Sequence, residues 1–278
     1  MSFTIIIPSR FGSTRLPGKA LLDIAGKPMV QRVYEQSCQS NADEVLVATD
    51  DPRIAEVVTG FGGQVLMTST EHPSGTDRLQ EVVSKKQYGD KHVVVNVQGD
   101  EPLIPPAVIN QVAENLLSQP NAGIATLCER INDPLDILNP NAVKVVRNQQ
   151  GFAQVFSRSP LPWLRSWPAL STIQADSDLT KIYALPANDN IQWHRHIGIY
   201  AYRVEVLNQF VAWPMSPGEQ AESLEQLRAL DNGVQIHCEE ASESLPSGID
   251  TMEDLERVRA LYTAGKSTED KAAEGKAL

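Results

Sequence analysis

The fold is decided by residues 3–19, which read FTIIIPSRFGSTRLPGK. Residues 3–7 form an apolar run that predicts a buried strand, and Pro8 ends it. The loop that follows contains three hydroxyl side chains, two glycines and three cations, which are Arg10, Arg15 and Lys19. Ligands of open α/β sheets bind where the strands end, glycines let backbone N–H groups approach phosphate oxygens, and cations neutralise those oxygens. The loop is therefore predicted to cradle a triphosphate.

The composition narrows the class of protein. The chain has 278 residues and a formal net charge of −11, which argues against a nucleic-acid-binding surface. No apolar run approaches the roughly 20 residues that span a bilayer, so we expect no membrane insertion. Cys38, Cys128 and Cys238 are scattered without metal-ligand spacing, as expected for reduced thiols of a cytoplasmic protein. We expect one domain over residues 1–264 and a disordered tail over 265–278, which is charged and rich in alanine and glycine.

Strand-like and helix-like segments alternate along the chain, which predicts an α/β fold with a mostly parallel sheet and flanking helices. Strands are expected at residues 4–7, 44–48, 64–67, 93–97, 124–127, 143–146, 197–202 and 234–238. Helices are expected at residues 29–40, 52–61, 74–86, 106–118, 221–230 and 252–264. Residues 167–193 show no clear period, and we interpret them as an irregular insertion or flap.

A second candidate site lies in residues 93–102, VVVNVQGDEP. A near-continuous apolar strand places Asp100 at its carboxyl end, where it can meet the loop after the first strand. A hard oxygen ligand near a triphosphate is typical of a Mg²⁺ site. Gly-Asp after a strand is also a common turn, and that alternative is the stronger one for this motif alone. Together with the cationic loop, the metal site becomes the favoured interpretation.

A third candidate, Asp250, lies in residues 247–251, SGIDT, just before the last predicted helix. Thr251 and Asp254 resemble a capping box, so the plain interpretation of this segment is a turn followed by a helix cap. The functional interpretation makes Asp250 a second metal carboxylate. The local sequence by itself favours the cap.

Six separate blocks of this chain resemble the 3-deoxy-manno-octulosonate (Kdo) cytidylyltransferases, and they keep the order of that family's motifs between residues 2 and 261. The blocks are residues 8–19, 96–102, 139–146, 195–200, 224–228 and 248–251. The resemblance implies a nucleotide-diphospho-sugar transferase (Rossmann-like) fold and a homodimer. It also implies CTP and the eight-carbon sugar acid Kdo as substrates, Mg²⁺ as cofactor, and a role in lipopolysaccharide biosynthesis.

The resemblance assigns site residues position by position. For the nucleotide it implies Pro8, Arg10, Ser13, Lys19, Ser74 and Arg78, the last two next to cytosine. For the metal it implies Asp100 and Asp250, which together with Arg10, Arg15 and Lys19 form the catalytic group. For the sugar acid it implies Gln98, Arg158, Arg165, His196, Tyr200, Glu225 and Gln226, with the two arginines facing its carboxylate.

Plainer interpretations stand beside several of these assignments. Ser74 is suited to be a helix N-cap, and Tyr200 is in a sequence typical of a core strand. Glu225 fits a solvated helix face, and His196 is better interpreted as a hydrogen-bond donor than as a metal ligand.

Other substrates and another class of protein also remain open. The segment that includes residues 167–193 is longer than is usual in the family, which makes the 8-amino analogue of Kdo a near rival to Kdo. We predict that this segment lies beside the sugar pocket, where Asp176, Asp178 or Asp189 could pair with the amine. An acylneuraminate cytidylyltransferase is a weaker rival. A non-catalytic CTP-sensing module is the alternative from another class.

Overall fold

The computed structural model describes residues 2–12, 16–169, 172–173, 178–183, 185 and 191–274, with side chains as far as residue 264. Ser13, Arg15, Asp176 and Asp189 therefore lie outside the described residues. The strands are β1 (Phe3–Ser9), β2 (Asp23–Ile24), β3 (Lys27–Pro28), β4 (Glu44–Thr49), β5 (Val65–Met67), β6 (Val93–Asn96), β7 (Ile124–Arg130), β8 (Lys144–Arg147), β9 (Ala153–Ser157), β10 (His194–Arg203) and β11 (Ile236–Glu240). The helices are α1 (Met29–Ser37), α2 (Pro52–Gly60), α3 (Gly75–Lys86), α4 (Pro106–Ser118), α5 (Pro134–Leu138), α6 (Leu179–Ile182), α7 (Val204–Phe210), α8 (Pro217–Glu222), α9 (Gln226–Asp231) and α10 (Met252–Glu274), with a 3₁₀ helix over Lys19–Leu21.

One sheet of nine strands organises the chain, and its main path runs β11-β7-β10-β6-β1-β4-β5. The pairs β6–β1, β1–β4, β4–β5 and β7–β11 are parallel. Strand β10 is antiparallel to both β6 and β7 and so reverses one position in the middle of the sheet. The predicted α/β fold with a mostly parallel sheet and flanking helices is confirmed.

The apolar run of β1 is continuous because both faces of the sheet are covered. Ile5 and Ile7 belong to the hydrophobic cluster on one face, and Ile6 belongs to the cluster on the other face. All three side chains are fully buried. Parallel strands that are covered by helices on both sides show this pattern instead of strict alternation.

Strand register brings the first loop and the Asp100 loop together. Ile6 of β1 lies opposite Asn96 of β6, and the backbone N–H of Val97 donates to Ile6 O at 3.2 Å. The two strands therefore end side by side. Only glycine fits at position 99, because a Cβ there would lie 2.7 Å from Ser9 Oγ.

Several predicted helix boundaries are wrong. Helix α1 ends at Ser37, three residues before its predicted end. The helix predicted over 221–230 is divided into α8 and α9, because Ser223 takes a left-handed conformation with a φ of 52° that ends α8. Helix α10 continues to Glu274, ten residues beyond the predicted end and into the segment predicted to be a disordered tail. Alanine, lysine and glutamate in that segment are good helix formers, and no proline stops the helix. Among the described residues, none of the helices has the length and apolar character that crossing a bilayer demands.

The segment 167–193 contains part of a small apolar core, although its described residues form only one short helix, α6. Trp167, Tyr183 and Trp193 are buried together against Ile131 and Ile137. The indole rings of Trp167 and Trp193 stack with their centroids 5.2 Å apart, and Trp193 Nε1 donates to Pro162 O at 2.7 Å. An argument from hydrophobic periodicity along the sequence misses this cluster, because its members are far apart in the chain.

Candidate active site

Two adjoining clefts open at the carboxyl ends of β1 and β6. The first cleft has a volume of about 390 Å³, and its lining includes Pro8, Ser9, Arg10, Lys19, Ser74, Arg78, Asp100 and Asp250. The second cleft has a volume of about 400 Å³, and its lining includes Thr76, Asn96, Glu101, His196, Tyr200 and Gln226. Gly75, Gln98 and Glu225 line both clefts, so the two share a wall. A ligand in one cleft can therefore reach a ligand in the other.

The two predicted metal carboxylates meet at one ammonium group. Lys19 Nζ lies 2.6 Å from Asp100 Oδ2 and 3.1 Å from Asp250 Oδ1. Gly18, in a left-handed conformation with a φ of 68°, directs the chain into the short helix that begins at Lys19. The backbone N–H of Ile249 donates to Asp100 O at 2.9 Å, which ties the two carboxylate-bearing segments together.

The helix-cap interpretation of residues 247–251 holds as well. The backbone N–H of Asp254 donates to Thr251 Oγ1 at 3.2 Å, and the backbone N–H of Thr251 donates to Asp254 Oδ2 at 3.0 Å. This reciprocal pair caps α10. The carboxylate of Asp250 is turned toward Lys19 instead, so one segment provides both a cap and a cleft carboxylate.

The carboxylate pair fits Mg²⁺ by the nature of its donors. Asp100 and Asp250 present hard anionic oxygens within hydrogen-bonding distance of a single cation. Mg²⁺ is usually held by one or two carboxylates together with waters and substrate phosphates. In the described part of the chain, no group of three or more His, Cys, Asp and Glu side chains could hold a metal.

The remaining nucleotide-side residues surround the first cleft. Arg10 is exposed at its mouth, and Pro8 is half-buried beside it. Ser74 caps α3, since its Oγ accepts from the backbone N–H of Asp77 and also donates to Asp77 Oδ2 at 2.7 Å. The N-terminus of this twelve-residue helix carries partial positive charge at the cleft wall, which suits an anionic ligand.

Arg78 is a structural ion-pair partner as well as a cleft residue. Its side chain is 4% exposed, and its Nη2 atom lies 2.7 Å from Asp50 Oδ2. Its Nη1 atom donates to Thr68 Oγ1. These two hydrogen bonds use two of the five N–H donors of the guanidinium, and the predicted role next to cytosine stays a prediction.

Several polar side chains in the second cleft are buried or half-buried. Thr76 Oγ1 donates to Glu225 Oε2 at 2.8 Å. Burial raises the pKa of the Glu225 carboxyl, although the hydrogen bond from Thr76 opposes this shift. Burial likewise raises the pKa of Tyr200 well above its ordinary value, and the charge of Glu225 adds to that shift. Glu225 is thus a half-buried cleft residue just before α9, and it does not lie on a solvated helix face.

The surroundings of His196 favour the neutral form of its imidazole. Burial lowers its pKa to about 3. Its Nε2 atom lies 3.0 Å from Thr126 Oγ1, and its ring lies edge-on to Phe156 with centroids 5.0 Å apart. The ring of Tyr200 is next to it at 5.3 Å. The plainer interpretation of Tyr200 as a strand residue also holds, because Tyr200 lies within β10. Its side chain lines the cleft as well.

The structure does not bring the two predicted sugar-side arginines to either cleft. Arg158 Nε donates to Glu222 O at 2.6 Å, and its Nη1 donates to Pro140 O at 2.9 Å. Arg165 is exposed. None of the described residues of 167–193 is part of the lining of the second cleft, and the aromatic side chains of this segment pack on Ile131 and Ile137. Asp178 caps α6, with its Oδ1 accepting from the backbone N–H of Thr180 at 3.1 Å.

Sequence reasoning missed three polar residues of the clefts. Ser9, Asn96 and Glu101 each have a buried side-chain oxygen with no hydrogen-bond partner among the described residues. Burial and the neighbouring charge of Asp100 raise the pKa of Glu101 to about 8. All three lie inside blocks that the sequence analysis singled out, but an unmatched hydrogen bond is visible only in three dimensions.

Comparisons with known proteins agree with this geometry. A family model described as cytidylyltransferase matches residues 4–236. The 3-deoxy-manno-octulosonate cytidylyltransferase of Hahella chejuensis is 55% identical over 260 residues, which cover 94% of this chain and 97% of that protein. The enzyme of the same name from Marinobacter nauticus is 56% identical over 266 residues, which cover 95% and 98%.

A solved structure of CMP:2-keto-3-deoxy-manno-octonic acid synthetase complexed with CTP superposes with a TM-score of 0.81 at 42% identity. It covers 95% of this chain and 99% of that one. The chain therefore belongs to the cytidylyltransferase family, within the group of 3-deoxy-manno-octulosonate cytidylyltransferases.

Proposed function

We propose that this protein transfers CMP from CTP to the anomeric hydroxyl of Kdo and releases pyrophosphate, as a step of lipopolysaccharide biosynthesis. The observation that carries the proposal is the convergence of Asp100 and Asp250 on Lys19, next to the wall that the two clefts share. Family membership at 53–56% identity over nearly the whole chain supports the same conclusion.

In the first cleft, the protein binds and orients the triphosphate. Arg10 and Lys19 supply positive charge, and the N-terminus of α3 supplies backbone N–H groups. Charge on the phosphate oxygens increases as the sugar oxygen attacks the α-phosphorus and pyrophosphate leaves. Groups that are already aimed at that charge lower the barrier without reorganising, so catalysis here consists mainly of positioning and electrostatic stabilisation.

Asp100 and Asp250 are the residues that would hold Mg²⁺. When bound, the metal would neutralise phosphate charge and make the attacking hydroxyl easier to deprotonate. The protein's own contribution is to fix both carboxylates at one point through the Ile249–Asp100 backbone hydrogen bond. No side-chain base within the first cleft is required by this scheme.

In the second cleft, Gln98, Tyr200, Glu225 and Gln226 would hold the hydroxyl groups of the sugar acid, together with His196. No lysine or arginine lines this cleft in the part of the chain that the structure describes. The proposed pairing of the sugar carboxylate with Arg158 therefore requires that its guanidinium exchange Pro140 O and Glu222 O for the ligand. Arg165, which is exposed, can approach without breaking such contacts.

The rival substrates and the sensor module are less well supported. Relatives at 53–56% identity are named for Kdo. Of the three aspartates that could pair with the amine of the 8-amino analogue, Asp178 is described, and its carboxylate caps α6. A homodimer and a cytoplasmic location are part of the same proposal. The three cysteines are all free thiols, which suits a reducing compartment.

A parallel turnover assay tests the proposal. The protein is incubated with CTP and Mg²⁺ and with Kdo, 8-amino-Kdo or N-acetylneuraminate, and pyrophosphate is measured. We expect the highest kcat/KM with Kdo. Binding of CTP without pyrophosphate release from any sugar acid would identify a sensor instead.

A further inference from the structure

Two buried oxygens in the wall of the second cleft lack hydrogen-bond partners among the described residues. They are Oδ1 of Asn96 and Oε2 of Glu101. Asn96 is 3% exposed. Glu101 is half-buried as a residue, but its Oε2 atom is buried. Buried polar atoms in folded proteins nearly always have a partner, so two exceptions in one cleft call for an explanation.

Backbone pairing and backbone hydrogen bonds fix the positions of both residues. Asn96 lies at the end of β6, where it is paired with Ile6 on one side and Tyr200 on the other. The backbone N–H of Glu101 donates to Gln98 O at 3.2 Å, and Glu101 O accepts from the N–H of Ile104 at 3.1 Å. A rigid backbone with unmatched oxygens is the arrangement of a site that is preorganised for a ligand.

The geometry points to Asn96 and Glu101 as specificity residues that form hydrogen bonds with hydroxyl groups of the sugar acid. This inference rests on the proposed function. The pair favours a polyhydroxylated substrate, because a ligand with hydroxyl groups at those two positions satisfies both oxygens. The resemblance-based assignment includes neither residue.

The physical consequence is a preference that depends on individual hydroxyl groups. A sugar acid that lacks the contacted hydroxyl leaves a buried oxygen unmatched, and a site built to bond a hydroxyl rejects such an analogue strongly. We expect each missing contact to lower kcat/KM for the sugar by roughly 10- to 100-fold. The KM for CTP should stay within about twofold, because the first cleft contains neither oxygen.

The test is a cycle that combines protein variants with sugar analogues. Asn96→Leu and Glu101→Met remove the oxygens at nearly constant volume, and Glu101→Gln keeps one acceptor. Glu114→Gln, at an exposed position on α4, is the matched control. Each protein is assayed with Kdo and with the analogues that each lack one hydroxyl, and its CTP affinity and thermal unfolding are measured as checks on folding.

For each analogue, the penalty is the factor by which its kcat/KM falls below that of Kdo. We expect Glu101→Met to reduce this penalty strongly for one analogue and Asn96→Leu to reduce it strongly for another. Glu101→Gln should partly restore the wild-type selectivity. Variants that bind CTP normally but lower kcat/KM by the same factor for every sugar would overturn the inference, since that is what a structural role produces. If Asn96→Leu does not fold, the measurements on the two Glu101 variants with the sugar analogues decide whether the inference holds. Failure of the proposed function is distinct, because the wild-type protein would then give no product with Kdo at all.

Discussion

The Nζ atom of Lys19 lies 2.6 Å from Oδ2 of Asp100, although the two residues are 81 positions apart in the sequence. The same ammonium group lies 3.1 Å from Oδ1 of Asp250. One cation thus holds carboxylates from two distant segments at the point where β1 and β6 end. The catalytic account depends on this cluster, and most of the following predictions alter it or its surroundings.

Replacing Asp100 by asparagine removes an anionic oxygen without changing volume. We expect Asp100→Asn to fold normally and to lower kcat on the order of 10²–10³-fold, the range typical of losing one electrostatic contact to a transition state. Asp90→Asn, at an exposed position, is the matched control and should keep full activity. Near-normal turnover of Asp100→Asn at limiting Mg²⁺ would remove Asp100 from the metal site, and Asp250→Asn tests the second carboxylate in the same way.

Removing the ammonium group should affect the chemical step more than binding. We expect Lys19→Ala to lower kcat by about 10²-fold or more while the KM for CTP changes only a few-fold, because its charge matters most when the phosphates gain charge. Lys91→Ala, at an exposed position, serves as the control. Steady-state kinetics decide the matter, and an effect confined to the KM for CTP would show a uniform binding role.

Arg78 should contribute to stability as well as to base recognition. Its guanidinium is nearly fully buried against Asp50, and truncating one partner of such a pair leaves a buried charge unpaired. We expect Arg78→Ala to lower the free energy of unfolding by about 3–5 kcal/mol in urea titrations. Where the variant is still folded, it should also relax the preference for CTP over UTP. Unchanged base selectivity would reject the cytosine assignment and leave only the structural role.

Burial of His196 makes stability depend on pH in one direction. Its pKa falls from 6.5 to about 3 on folding, so between these values the unfolded chain binds a proton that the folded chain does not. The free energy of unfolding therefore decreases as the pH falls below 6.5, by about 2 kcal/mol at pH 5 from this residue alone. Urea unfolding at pH 7 and pH 5 should show that His196→Gln loses about 2 kcal/mol less than the wild-type protein. An identical pH dependence of the two proteins would contradict the buried neutral imidazole.

The aromatic cluster of the 167–193 segment should stabilise its part of the fold. Trp193 is 1% exposed and stacks on Trp167. We expect Trp193→Ala to lower the free energy of unfolding by about 3–5 kcal/mol, as large-to-small changes of buried aromatic residues do. Trp163→Ala, a tryptophan that is 38% exposed, should cost clearly less. Equal losses in the two variants would indicate that the segment has no packed core of its own.

The first loop, Asp100 and the mostly parallel α/β sheet could be predicted because their signals are local. An apolar run ended by proline, a cation-rich loop and a carboxylate after a strand each occupy a few consecutive residues, and parallel strands must end at one edge. The location of Arg158 and the burial of Glu225 could not be predicted, because both depend on which distant carbonyl or hydroxyl packs against the side chain. Ser223 illustrates the same limit, since nothing in its local sequence predicts the left-handed conformation that ends α8 there.

The most direct test of the account measures pyrophosphate and the nucleotide-sugar product together. The purified protein is incubated with CTP, Kdo and Mg²⁺, with and without the Asp100→Asn substitution, and both products are quantified over time. The account predicts equal amounts of pyrophosphate and CMP-Kdo from the wild-type protein, and at most about 1% of that rate from the variant. Pyrophosphate without CMP-Kdo, or wild-type rates from the variant, would contradict it.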